Sequence, residues 1–164
     1  MRELKMQVQR QLKRNLDNAN QYFQKTFIPP TVSYNVRGLK AGVAYLQKNE
    51  IRFNPTLLAE NGTKFIRQVV PHELAHIIVF QQFGRVAPHG KEWKQLMQNV
   101  FGVPADIYHR FDTTNVQEAR IPYRCQCRLH TLSQRQHNFT QQTNRYYICR
   151  HCKTPLYHNP TINP

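Results

Sequence analysis

Residues 71–93, PHELAHIIVFQQFGRVAPHGKEW, set two histidines four apart around a glutamate, with a third histidine thirteen residues after the second. On an α-helix a four-residue step turns roughly 40° and rises about 6 Å, so His72 and His76 can aim at one ion from the same face. Zinc accepts neutral imidazole nitrogen at about 2.0–2.1 Å, and a catalytic zinc has three protein ligands plus a water. Glu73 stands beside the first ligand, where its carboxylate can deprotonate that water without binding the metal; this is the general-base arrangement of metal-assisted peptide hydrolysis. Composition alone would produce H-E-x-x-H in on the order of one in seventy chains of this length, so the match needs context. The context is apolar: Val69, Val70, Leu74, Ala75, Ile77, Ile78 and Phe80 surround the motif. Polar groups buried there without a partner would be expensive, and a metal removes that expense. His89 is the expected third ligand, because the glycine-bearing loop before it lets the chain fold back; Glu92 is its rival. Trp93 and Met97, one turn apart, read as core.

A second set of metal-ligand residues lies near the C-terminus. Cys149-Arg150-His151-Cys152 is a C-x-x-C knuckle. Upstream, Cys125-Gln126-Cys127 is C-x-C, while Cys127 and His130 form C-x-x-H. The expected structural zinc site is Cys125, Cys127, Cys149 and Cys152, with His130 as the alternative ligand, since thiolates suit closed zinc sites. The interval between Cys127 and Cys149 is long enough for a zinc ribbon, its strands expected around Leu132, residues 135–140 and Tyr146 to Ile148. So small a segment has little core, and the metal would supply most of its folding free energy.

The elements that must hold these groups can be read from periodicity. Residues 3–25 carry Leu4, Val8, Leu12, Leu16, Ala19 and Phe23 at near-helical spacing, which predicts a scaffold helix ended by Ile28-Pro29-Pro30. Alternation in VSYNV (32–36), VAYL (43–46) and Ile51-Arg52-Phe53 predicts a small antiparallel sheet. A short helix is expected through Leu57 and Leu58, then a longer one capped by Thr63 and kinked at Pro71. Lys91 to Phe101 predicts a further helix ended by Gly102. Residues 105–122 read as a linker. His109, His151 and His158 read as ordinary surface residues, and His137 has no assigned role.

Charge sets the expected partners. Lys plus Arg outnumber Asp plus Glu by 23 to 9, a net +14, and from Arg120 onward there are seven basic residues and no acidic ones. Such an excess favours polyanions. In the C-terminal segment Arg124, Arg128, Arg135, Arg145 and Arg150 alternate with Tyr123, Phe139, Tyr146, Tyr147 and Tyr157, a pairing that lets cations follow phosphates while rings stack on bases. A purely structural role for this segment carries equal weight. No apolar run reaches the roughly 20 residues that span a bilayer. The charged N-terminus also lacks a signal-peptide stretch, so no membrane contact and a cytoplasmic location are expected. In that compartment clustered cysteines are metal ligands more often than disulfides.

HELAH followed by HGKEW resembles the SprT family, whose eukaryotic relatives include the Spartan DNA–protein crosslink proteases. The resemblance extends through GVAYLQKNEIRFNP, YRCQC, RQHN and YICRHC, in order and spacing. It implies an α+β, minimal zincin-like metallopeptidase domain over residues 1–119, with the two histidines of HELAH and the histidine of the later H-G pair on zinc, and a basic zinc ribbon over 120–164. The expected activity is peptide-bond hydrolysis at a catalytic zinc, on protein substrates that include DNA-bound proteins. The alternative is a zinc-containing nucleic-acid-binding or regulatory protein whose peptidase site is dormant; it requires a closed fourth position on the first metal.

Overall fold

A computed structural model describes residues 1–117 and 120–160, in two compact units, Met1–Val116 and Gln117–Pro164. The expected boundary between 119 and 120 abuts residues 118 and 119, outside the described residues. Among the described residues no helix is long and apolar enough to cross a membrane.

The first unit opens with α1 (Arg2–Phe23), which buries Val8, Leu12 and Ala19 on one face. It ends before the expected Ile28-Pro29-Pro30 stop, because Gln24 adopts a left-handed conformation and its N–H caps Asn20 and Gln21. Strands β1 (Thr31–Ser33), β2 (Gly42–Tyr45) and β3 (Glu50–Phe53) follow. Their order is β1-β3-β2: β3 pairs antiparallel with β2, Ala44 opposite Ile51, but parallel with β1, Val32 opposite Ile51. The sheet is therefore mixed where an antiparallel one was expected, since alternation fixes which face a side chain takes and is silent on strand direction. Ile51 and Phe53 face inward with no exposure, while Glu50 and Arg52 pair on the other face at 2.8 and 3.0 Å.

Asn54 joins the sheet to the central helix α2 (Pro55–Phe83). Its side chain accepts from the Thr56 and Leu57 N–H groups and donates to the Gly38 and Lys40 carbonyls, an N-cap that also pins the turn leading into β2. The break in α2 lies at Gly62 (φ 46°, ψ −116°), and Pro71 keeps helical dihedrals. The expected division into a short helix through Leu57 and Leu58 and a longer one is present, with its break one residue before Thr63, while the expected Pro71 kink is corrected. A glycine adopts that φ at little cost, whereas a proline can stay helical if its neighbours hold it.

From Val69 onward the helix is buried nearly all round, with Val70, Leu74, Ala75 and Ile78 fully enclosed, as is Phe65 one turn earlier. Phe65, Val70, Leu74 and Ile78 each contribute roughly 1.5–3 kcal/mol by this burial. α3 (Lys91–Gln95) continues as a π turn, Leu96–Val100, and closes the core with Trp93, Leu96 and Met97. Residues 105–116 are not a free linker: Phe111 stacks on Phe65 at 5.9 Å, and His109, expected at the surface, donates to the Leu39 carbonyl at 2.9 Å.

In the second unit β4 (Arg120–Arg124) is flanked by β5 (Leu129–Ser133) and β6 (Tyr157–His158), all antiparallel. Residues 134–143, expected in part as a strand, form α4 (Gln134–Thr143). Ser133 and Gln136 make a reciprocal capping box, a local signal for a helix start that outweighs the weak alternation. Tyr146 to Ile148 supplies only the isolated Ile148–Pro155 bridge. Among its described residues the unit is α+β, a short three-stranded sheet with one helix, and its core is Tyr123, Cys125, Leu132, Cys149 and Leu156.

Candidate metal centre and active site

Two turns of α2 and the loop before α3 bring three imidazoles together. His72 Nε2 lies 3.2 Å from His76 Nε2 and 3.3 Å from His89 Nε2. His72 Nδ1 donates to the Asp106 carbonyl at 3.2 Å, which leaves Nε2 with a single in-plane lone pair facing both neighbours. One lone pair cannot serve two donors, but three lone pairs converging on a point suit a cation. Tetrahedral zinc at about 2.0–2.1 Å places ligand nitrogens about 3.3–3.4 Å apart, so the spacing fits. Burial, and then the charge of His89, lowers His72 to about 4 despite the Asp106 carbonyl; burial with the neighbouring imidazoles lowers His76 to about 3. His89 is lowered too, by burial and then Lys94. All three rings are thus held neutral, the state that ligates metal. Glu92 lies outside this group, which His72, His76 and His89 form by themselves.

Behind the three rings stands Trp93, fully buried, with ring centroids 4.8, 5.7 and 4.8 Å from His72, His76 and His89. Its Nε1 donates to the His72 carbonyl at 3.3 Å. The core reading of Trp93 stands, yet it also supports the site. Contacts of this kind fix ring orientation.

Glu73 is 7 % exposed and points at β2. A Cβ on Gly42 would come within 2.8 Å of Glu73 Cγ and 2.9 Å of Oε1, so only glycine fits against the carboxylate. Burial pushes the Glu73 carboxyl up to about 8, opposed by a hydrogen bond from the Ala44 backbone and by the charge of Lys40. Gly42, Ala44, Asp106 and Trp93 went unassigned to the site in the sequence, since their parts in it come from backbone atoms, an absent side chain or a packing face, none of which leaves a motif.

The imidazoles and Glu73 open into a cleft of about 1200 Å³. β2 and the following Leu46 to Lys48 turn form one wall; residues 84–89 and 106–109 form others. Because β2 is an outer strand, its unpaired edge borders the cleft. β2 offers such an edge and β3 does not, since β3 lies at the centre of the sheet.

In the second unit the sulfurs of Cys125, Cys127, Cys149 and Cys152 lie within 4.8 Å of one another. Cys125 to Cys127 and Cys127 to Cys149 measure 3.5 and 3.7 Å, against the roughly 3.7–3.8 Å that zinc–sulfur bonds of about 2.3 Å produce in a tetrahedron. His130 Nε2 sits 3.2 Å from Cys125 Sγ, beside the sulfur group. The knuckle is shaped by Lys153 at φ 59° and by the Cys149 N–H donating to the Thr154 carbonyl. Hydrogen bonds from Thr154 pull Cys152 down to about 5, towards the thiolate that binds metal.

Of the residues expected at nucleic acid, Arg124, Arg135, Arg145 and Arg150 are exposed, as are Phe139, Tyr146 and Tyr157. Arg128 is exposed as well and hydrogen-bonds Cys127. Tyr123 is buried, its hydroxyl 2.9 Å from both His137 Nδ1 and Thr140 Oγ1, and so cannot stack on a base. That contact also sets the half-buried His137 against the core of the unit. We expect Cys149→Ser to lower bound zinc by one equivalent and to make the chain beyond residue 117 protease-sensitive while the first unit stays intact. Metal analysis with limited proteolysis reads both.

The SprT-like family model matches residues 12–109. Protein SprT of Glaesserella parasuis is 66% identical over 151 residues, covering 92% of this chain and 97% of that one. Protein SprT of Actinobacillus succinogenes is 59% identical over 155 residues, 94% and 91% of the two chains, and that of Escherichia coli K12 is 48% identical over 149 residues, 91% and 90%. No solved structure matches.

Proposed function

The chain belongs to the SprT-like family, and from that premise we propose that it is a zinc-dependent metallopeptidase whose first unit hydrolyses peptide bonds and whose second unit is a zinc-stabilised ribbon. His72, His76 and His89 would hold the catalytic zinc. Once bound, that ion supplies a Lewis acid for the scissile carbonyl and lowers the pKa of water. The rest falls to the protein. Glu73 takes a proton from the attacking water and returns it to the leaving amine, the double role of a buried carboxylate near neutrality. Gly42 and the Ala44 N–H hold that carboxylate in place, and Trp93 and the Asp106 carbonyl orient the rings. The open edge of β2 pairs with the backbone of an extended substrate, so recognition rests on main-chain hydrogen bonds and is tolerant of side chains.

The observation that carries this reading is the convergence of three neutral imidazole nitrogens at zinc spacing, one residue from a buried carboxylate, in an open cleft. Cys125, Cys127, Cys149 and Cys152 would hold a second, structural zinc. The exposed arginines and aromatic rings of the second unit support action on proteins associated with nucleic acid. Mass spectrometry under native conditions tests the assignment: the parent should carry two zincs and His76→Ala one. Two zincs in the variant would remove His76 from the site.

A further inference from the structure

Chemistry-bearing residues also collect on the far side of α2. At 100° per residue, Arg67 lies roughly 140° around the helix from His72, and Thr63 roughly 180°. There α1 and α2 enclose two adjoining depressions of about 400 and 220 Å³, and Gln11, Arg14 and Arg67 line both. Arg10 lines the second. We propose that this trough binds the phosphodiester backbone of nucleic acid through Arg10, Arg14 and Arg67.

Among the described residues none of these three arginines makes a hydrogen bond or an ion pair. The two ion pairs found, Lys13–Asp17 and Arg52–Glu50, use other cations, and no acidic residue lines the trough. Arginines that only needed solvation could spread over the surface; three sharing one concavity repel each other until an anion arrives. The concavity is also built. Gln11 donates to Asn15, which is 2 % exposed, so the amide on the floor is fixed in place.

The chemistry of the lining selects among anions. Guanidinium forks grip phosphate in a bidentate manner, and Asn18 offers a neutral donor alongside, while the Gln7 amide donates to Glu3. A protein partner would want an aromatic or aliphatic anchor at the centre, and a membrane would want exposed apolar side chains. None of the exposed large hydrophobic residues lines the trough, where Phe101 and Val103 are half-buried at one end. Its position matters as well. A polyanion held there leaves the catalytic cleft open, so the unit could hold nucleic acid and cut protein at once. The site stands whether or not the hydrolytic reading does.

The test uses the full-length, zinc-loaded protein and a fluorescent 20-base-pair DNA duplex, with the dissociation constant followed across a salt series. Each lost phosphate contact should reduce the slope of log affinity against log salt by about 0.9. R10A/R14A/R67A is therefore expected to flatten the slope by about 2–3 and to weaken binding at least tenfold at low salt. A charge-matched variant, K25A/R37A/K91A, removes exposed cations elsewhere on the same unit and should change the slope by less than 1. Unchanged cleavage of a DNA-free protein substrate shows that the triple variant is folded; if it is not, R67Q is measured in its place, with an expected loss of about 1 in slope. Equal slopes for the trough and control variants, no duplex binding by the parent, or equal competition by polyglutamate would each overturn the proposal.

Discussion

Glu73→Gln should keep both zincs and lose protein cleavage by on the order of 10²–10⁴-fold, the span that a positioned general base contributes. The substitution preserves the shape of the side chain, so its packing against Gly42 is retained. Removal of the proton acceptor is the whole difference. Because Glu73 ligates neither metal in this assignment, metal content must stay level while the rate falls. A matched fall in both would make it a ligand, and parent-like cleavage would remove it as the base. The measurement is initial rate on an unfolded protein substrate, paired with zinc content on the same preparation. It also separates the peptidase from a nucleic-acid-binding protein with a dormant site, which would show no parental cleavage to lose.

The parts of this site written as side chains were legible in the sequence, and the parts written as backbone were not. HELAH named two rings of the cluster because a four-residue helical step permits only one relative placement. His89 followed from a loop that must turn back, and the structure brings it to 3.3 Å from His72. The four cysteines advertised themselves by spacing. By contrast, nothing in VAYL said that the strand is an edge, since alternation is the same for inner and outer strands. The parallel β1–β3 pairing was hidden for the same reason. Pro71 misled because it is a strong helix breaker in isolation, while burial of Val70 and Leu74 on either side holds it helical. Gly62 carried the break instead, and a lone glycine is a weaker signal than a proline. In the second unit, basic and aromatic alternation suggested uniform stacking, yet Tyr123 is core. Alternation cannot say which rings a small core will claim.

Gly42→Ala offers the sharpest test of how the backbone sets the chemistry. Gly42 needs no unusual dihedral, since only Gly38, Gly62, Gly84 and Gly102 among the glycines have positive φ, so the added methyl carries no conformational penalty of its own. What it meets is Glu73: Cγ at 2.8 Å, Oε1 at 2.9 Å and Cδ at 3.1 Å. Contacts that short are not tolerated, and the strand is pinned on its other side by pairing to Phe53. The carboxylate therefore has to move, giving up the Ala44 N–H. Misplacing a catalytic group by about 1 Å costs on the order of 10²-fold in rate. We expect that loss in kcat, with KM and both zincs little changed and a stability cost of about 1–3 kcal/mol from overpacking. Gly38→Ala is the contrast. Its φ of +75° makes alanine strained, but no atom lies within 4 Å of the new methyl, so it should cost stability by about 1 kcal/mol and leave the rate alone. Equal rates for Gly42→Ala and the parent would mean that the strand does not position Glu73, and the edge of β2 would then be only a wall of the cleft.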